Sequence, residues 1–174
     1  HYSTIALIAL AAVTRVAAAL VLGDRFHFVD ETIYVDAARQ LLAGHGFDAT
    51  YANVPAQPVF LAVLAAPWPG SLVLLRCAHG LVTGVLGGAV LHALGTRMVG
   101  VGAARVALVL YAVDPLAVVA GGLLYPEAIA AVVLAGALLA AVTTVHRDRY
   151  LTTAISGVLL GLTILFRPVA VVLI

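Results

Sequence analysis

Long apolar runs, separated by short polar breaks, dominate the pattern along this chain. A membrane crossing needs about 20 apolar residues, and the pattern predicts about five. The first covers roughly Ser3 to Leu22. A polar stretch, Gly23 to Pro58, comes next. "VFLAVLAAPWPG" is half a span, bracketed by Pro58, Pro67 and Pro69. It reads as an interfacial or re-entrant helix with Trp68 at headgroup level. The second span is Ser71 to Gly95. The third starts near Gly102 and runs into "YAVDPLAVVAGGLLYPE", with an interruption at Asp114-Pro115. The fourth is Glu127 to Val145, closed by "HRDR", and the fifth runs from Leu151 to beyond Pro168.

Within the polar stretch, "VDETIYVDAARQLLAGHGF" (29–47) has its own helical period. Ile33, Tyr34, Ala37, Ala38, Leu41 and Leu42 form one stripe; Thr32, Asp36, Arg39 and Gln40 fall opposite. Gly44 and Gly46 stop the helix. Such a helix is expected to lie on the membrane surface. The expected fold is an all-α polytopic membrane protein: about five transmembrane helices plus this amphipathic juxtamembrane helix. It forms a single domain, 1–174, with the loop 23–58 outside. No internal repeat or low-complexity linker interrupts it.

Composition agrees. Only 10% of residues are charged and mean hydropathy is +1.15, against about 25% charged in soluble domains. All nine basic residues are arginine and net charge is +1, so there is no nucleic-acid footprint. The lone Cys77 excludes an intrachain disulfide and a thiolate cluster. The chain starts at His1 and stops inside an apolar run, as expected for a fragment of a longer polytopic protein. The lysine-free, Ala/Val/Gly-heavy composition hints at a GC-rich bacterium.

Charge placement predicts orientation. The tight loops hold Arg97, Arg105, Arg147 and Arg149 against Asp148. The stretch 23–58 holds Arg25 and Arg39 against five acids. The positive-inside rule puts the tight loops in the cytoplasm and the long loop outside. Arg167 then lies about 24 Å beyond Leu151 across a ~30 Å core, near the outer face. Glu127 starts a helix that ends inside, so it is outside too. Asp30, Glu31, Glu127 and Arg167 therefore converge on one face.

Each residue also has a plainer reading. Asp30 can be an N-cap and Glu31 a first-turn acid favoured by the helix dipole. Glu127 stands at a helix start, Arg167 can snorkel, and Asp114 can cap a kink. Arg15 and Arg76 are interfacial anchors or partners for the acids. His79 and His92 read as polar packing rather than metal ligands. Tyr51 and Asn53 are ordinary loop residues unless an acceptor docks there.

"DETIYVDAARQLLAGHGF", succeeded in order by "YAVDP", "YPEAIAA" and "GVLLGLTILFRP", resembles the GT-C glycosyltransferases. The resemblance is to polyprenyl-phosphate-sugar users related to protein O-mannosyltransferases and lipid A aminoarabinose transferases. It covers nearly the whole chain through short, degenerate motifs. It implies an inverting sugar transfer on the non-cytoplasmic face of the cell membrane. Asp30 would be the general base, with Glu31 its catalytic neighbour, positioning substrate or an ion. Arg167 would bind the donor phosphate, and Glu127 would line the same cavity. Tyr34, Asp114 and Arg76 complete the candidate substrate-binding set. The partners implied are a polyprenyl-phosphate-linked sugar donor and a glycan, lipid or protein acceptor. Some members of the family use a divalent cation; no residue here specifies one. "VPAQP" stands where aminoarabinose transferases have a "KPP" stretch, so subfamily and acceptor stay open. The competing readings are a transporter or flippase-like carrier of a lipid-linked anion and a non-catalytic scaffold of GT-C descent.

Overall fold

The computed structural model describes residues 3–144 and 149–168. His1, the loop 145–148 of the orientation argument and the continuation past Pro168 lie outside the described residues. The described residues form eight helices and no strand: α1 (Thr4–Leu22), α2 (Val29–Leu42), α3 (Ala56–Ala65), α4 (Leu72–Val99), α5 (Val101–Val113), α6 (Pro115–Gly122), α7 (Pro126–Thr144) and α8 (Arg149–Phe166).

Three of these, α1, α4 and α7, are long and apolar enough to cross a membrane. A fourth crossing results if α5 and α6, bent by 59°, count as one span. The apolar pattern predicts five. The shortfall lies in α8, whose apolar run Tyr150–Phe166 is too short by itself. The expected interruption at Asp114-Pro115 is present. Asp114 Oδ1 accepts the Ala117 N–H at 2.7 Å and caps α6, while Pro115 opens the helix where no N–H partner is needed. The half-span α3 begins three residues earlier than expected, with Pro58 inside its first turn. A proline there sacrifices no helical hydrogen bond. At 28 residues, α4 reaches about 42 Å, longer than a ~30 Å hydrocarbon core.

The bundle centre is built from small residues. Gly80, Gly84 and Gly88 recur every fourth residue on α4 and face α1. A Cβ at Gly84 would lie 2.6 Å from Ala12 Cα and 2.8 Å from the Ala11 carbonyl oxygen. The two backbones therefore touch directly, as small residues permit in apolar surroundings. Arg15 crosses this seam fully buried. It donates to the Ala11 carbonyl at 2.9 Å and the Tyr111 carbonyl at 3.1 Å, with its guanidinium 3.9 Å from the Tyr111 ring centre.

α2 packs into the bundle on a face shifted from the expected stripe. Its buried residues are Glu31, Tyr34, Val35, Ala37 and Ala38, while Leu42 is exposed. The shift results from Glu31, which faces inward.

Replacing Gly84 by Leu must separate α1 from α4. The expected loss is about 1–3 kcal/mol, the range for overpacking a tight core, read as a lower melting temperature in detergent. Gly157→Ala, where an added Cβ meets nothing within 4 Å, leaves the melt unchanged or slightly higher.

Candidate functional site

The head of α2 separates two adjacent acids. Phe28, not Asp30, occupies the N-cap, and it contributes no side-chain cap bond. Asp30 and Glu31 are the second and third residues of the helix. Consecutive helical side chains point about 100° apart, so one acid turns to the surface and the other to the interior. Asp30 is exposed and Glu31 is 0% exposed.

Glu31 is held from every side. Arg76 Nη1 donates to its Oε1 at 2.7 Å and Nη2 to its Oε2 at 3.2 Å. The His27 N–H donates to Oε2 at 2.9 Å and the Leu124 N–H to Oε1 at 3.2 Å. Arg76 also donates to the carbonyls of Gly122, at 3.1 Å, and Arg25, at 2.8 Å. Burial pushes the Glu31 carboxyl upward, but Arg76 and the two backbone N–H groups outweigh it and hold the group below its ordinary range. Arg76, read from the sequence both as a partner for the acids and as a substrate-binding candidate, holds Glu31; both side chains are 0% exposed. The pair ties α2, α4, the end of α6 and the segment before α2 into one knot.

Two further neighbours reinforce that knot. Gln57 Nε2 donates to the Leu124 carbonyl at 2.8 Å, and His79 Nδ1 pairs with the Gly121 carbonyl at 2.9 Å. Sequence reasoning misses Gln57; a lone glutamine in an apolar helix is the available signal. His79 reads as polar packing from the sequence, and that is its place here, edge-on to Phe60 at 5.8 Å.

Asp30 has aromatic neighbours. Tyr34 is buried and meets Tyr125 edge-to-face at 6.4 Å; Tyr125 meets Phe28 at 5.7 Å. Burial raises the Tyr34 hydroxyl, the Asp30 charge raises it further, and the Arg167 charge opposes. Burial also raises the Tyr125 hydroxyl, with smaller contributions from Asp30, Glu31 and Tyr34. Tyr34 is thus within electrostatic reach of both Asp30 and Arg167. Sequence reasoning misses Tyr125 too; its position just before the Pro126-Glu127 helix start is the only hint.

Arg167 ends the last helical turn of α8 and pairs with Glu127 at the start of α7. Their side chains are 45% and 44% exposed, so the pair remains open to exchange. Phe166 anchors this end, buried against Ile129 and Ala130 and edge-on to Phe60 at 6.2 Å. Glu127 also lines a cavity of about 540 Å³ whose walls are mostly alanine, leucine and valine. Asp114, Arg15 and Tyr111 line it as well.

The structure therefore groups Asp30, Tyr34, Glu127 and Arg167 at one end of the bundle. Glu127 and Asp114 share a cavity, while Glu31 and Arg76 are internal. Among the described residues no group of three His, Cys, Asp or Glu side chains is arranged to hold a metal ion. No family model matches the chain, and neither the curated proteins nor the solved structures contain a significant match.

The depressed Glu31 carboxyl sets a pH dependence. Its stabilisation is complete above about pH 5 and is lost as acidification protonates the folded-state carboxylate. Melting temperature in detergent should therefore be level through neutral pH and fall on the acid side. Glu31→Ala leaves Arg76 buried without its partner and should cost about 3–5 kcal/mol. A Glu31→Ala protein that melts like the parent at neutral pH would contradict the knot.

Proposed function

We propose that this chain is the membrane module of an inverting GT-C-type glycosyltransferase. It moves a sugar from a polyprenyl-phosphate donor to a hydroxyl acceptor on the non-cytoplasmic face of a bacterial plasma membrane. In this reading α8 supplies a fifth crossing, α2 is the juxtamembrane helix, and the loop 23–55 faces outward. The observation that supports the reading is the half-exposed Arg167–Glu127 pair, whose Glu127 lines an apolar cavity, at the end of the bundle where Asp30 is exposed.

The chemistry comes from these positions. Asp30, exposed and free of the Arg76 knot, takes the proton from the acceptor hydroxyl as that oxygen attacks the sugar's anomeric carbon. The anomeric carbon–phosphate oxygen bond breaks, and the leaving phosphate keeps the electron pair. Arg167 receives the developing charge; a guanidinium suits phosphate because it can donate two parallel bonds. Before donor binds, Glu127 occupies Arg167, so the donor phosphate displaces a carboxylate. The prenyl chain lies along the apolar cavity lined by α6 and α7. Tyr34 and Tyr125, protonated at neutral pH, donate to sugar or phosphate oxygens. Glu31 orients Asp30 by fixing the helix on which both ride.

A carrier of a lipid-linked anion is the second reading, favoured by one observation: the α5–α6 break at Asp114 lines the cavity. Broken helices of this kind form transporter sites.

Asp30→Asn should lower sugar transfer in membranes by about 100-fold or more, the share of a general base, with donor binding retained. Arg167→Ala should raise the donor KM more than the acceptor KM. Transfer at parental rate by Asp30→Asn sinks the transferase reading. Protein-dependent flipping of a fluorescent prenyl phosphate in liposomes, without sugar transfer, would establish the carrier instead.

A further inference from the structure

A second cavity, of about 390 Å³, lies between the outer side of α2 and the loop after it. Asp36 and Gln40 contribute from α2, and Asp48, Thr50, Tyr51 and Asn53 from the loop. Ile33, Ala37 and Ala52 supply its apolar lining. No cationic side chain lines it.

The loop side is preorganised. Asp48 Oδ1 accepts the Thr50 N–H at 2.8 Å and the Thr50 hydroxyl at 2.7 Å, and the Tyr51 N–H bonds the Asp48 carbonyl at 2.9 Å. The two Thr50 bonds hold the Asp48 carboxyl below its ordinary range. The Tyr51 ring stacks on Phe47 at 4.9 Å, and its hydroxyl donates to the Val54 carbonyl at 2.8 Å. The Tyr51 ring is thereby fixed at the cavity wall. Asp36 is partly satisfied by Arg39 at 3.1 Å. The amides of Gln40 and Asn53 make no hydrogen bond to another described residue. Each offers both a donor and an acceptor.

This inventory selects a ligand class. Two carboxylates and no lining cation disfavour phosphate and other anions. Free amides and carboxylates suit hydroxyl groups, which both donate and accept. A fixed aromatic ring and apolar lining residues suit the C–H face of a sugar ring. Asp30, Ile33, Ala37 and Gln40 also recur at helical spacing along one side of α2. Asp30 stands about 9 Å along the helix axis from Asp36 and about 15 Å from Gln40. The cavity is thus a short distance down the same helix from the candidate base.

We propose that this cavity is a subsite for a neutral saccharide. It holds sugar units of a glycan acceptor whose reacting hydroxyl reaches Asp30. The acceptor role rests on the transferase reading above; saccharide binding does not.

The test uses the full chain in detergent or nanodiscs. Mannotriose, cellotriose and chitotriose are titrated separately, with glucose 1-phosphate as the anionic comparison, and binding is monitored by saturation-transfer NMR. At least one trisaccharide should bind, glucose 1-phosphate more weakly. Gln40→Ala with Asn53→Ala should weaken the trisaccharide at least tenfold. Both positions are partly or wholly exposed, so the melting temperature should hold. Tyr51→Leu should reduce binding independently by removing the ring. Binding by none of the three, preference for the phosphate, or binding indifferent to these substitutions overturns the subsite. The two proposals fail separately. Transfer that needs Asp30 but ignores Gln40 and Asn53 defeats the subsite alone. Saccharide binding that needs Gln40 and Asn53 in a chain whose transfer ignores Asp30 defeats the base alone.

Discussion

The placement of α2 against the rest of this fold depends on the buried pair of Glu31 and Arg76. An isolated charge in an apolar interior is costly, and two charges become tolerable there only when geometry and further hydrogen bonds satisfy them. Here the two-point contact is supplemented by the N–H groups of His27 and Leu124 and the carbonyls of Arg25 and Gly122. Three regions distant in sequence, residues 25–31, Arg76 and residues 122–124, are held by one pair of side chains. The apolar packing of Tyr34, Val35, Leu61 and Leu124 around it is non-directional. The ion pair is directional, and it decides how α2 is rotated about its own axis.

That rotation has a chemical consequence. With Glu31 locked inward, the preceding residue must face outward, away from the knot. Adjacent acids of similar intrinsic chemistry thereby acquire different environments. Glu31 is a fixed, ionised strut. Asp30 remains exposed, with two protonated tyrosines beside it. Separating the roles of two carboxylates by environment is a recurrent physical strategy in acid–base sites.

The second structural theme is close backbone approach. Glycines at every fourth position of α4 let α1 come into direct contact, and Gly121 lies where any Cβ would strike the Arg15 side chain at 2.8 Å. Tight packing on that flank contrasts with the large apolar cavity beside α6 and α7. The break at Asp114 makes both possible: it turns α6 away from the axis of α5. Glu127 lines that cavity, and its pair with Arg167 is half-exposed, unlike Glu31–Arg76. One pair is sealed inside the fold, and the other is open to solvent.

Much of this is legible along the chain. Apolar run length by itself determined α1, α4 and α7, because a helix satisfies its backbone groups internally and needs only a hydrophobic exterior. The Asp-Pro step determined the break, since proline lacks an N–H and aspartate caps the helix it precedes. Charge placement along the chain pointed to Asp30, Glu31, Glu127 and Arg167 on one face. Tertiary structure decided the rest. Side-chain hydropathy, from which the stripe on α2 is read, assigns Glu31 to water. Its burial depends on Arg76, 45 residues away, and no local pattern encodes a partner at that distance. The rotation of α2, the two cavities and the grip of Gln57 and His79 on the end of α6 share that origin. Periodicity is a property of one helix, whereas a buried charge is placed by the group that neutralises it.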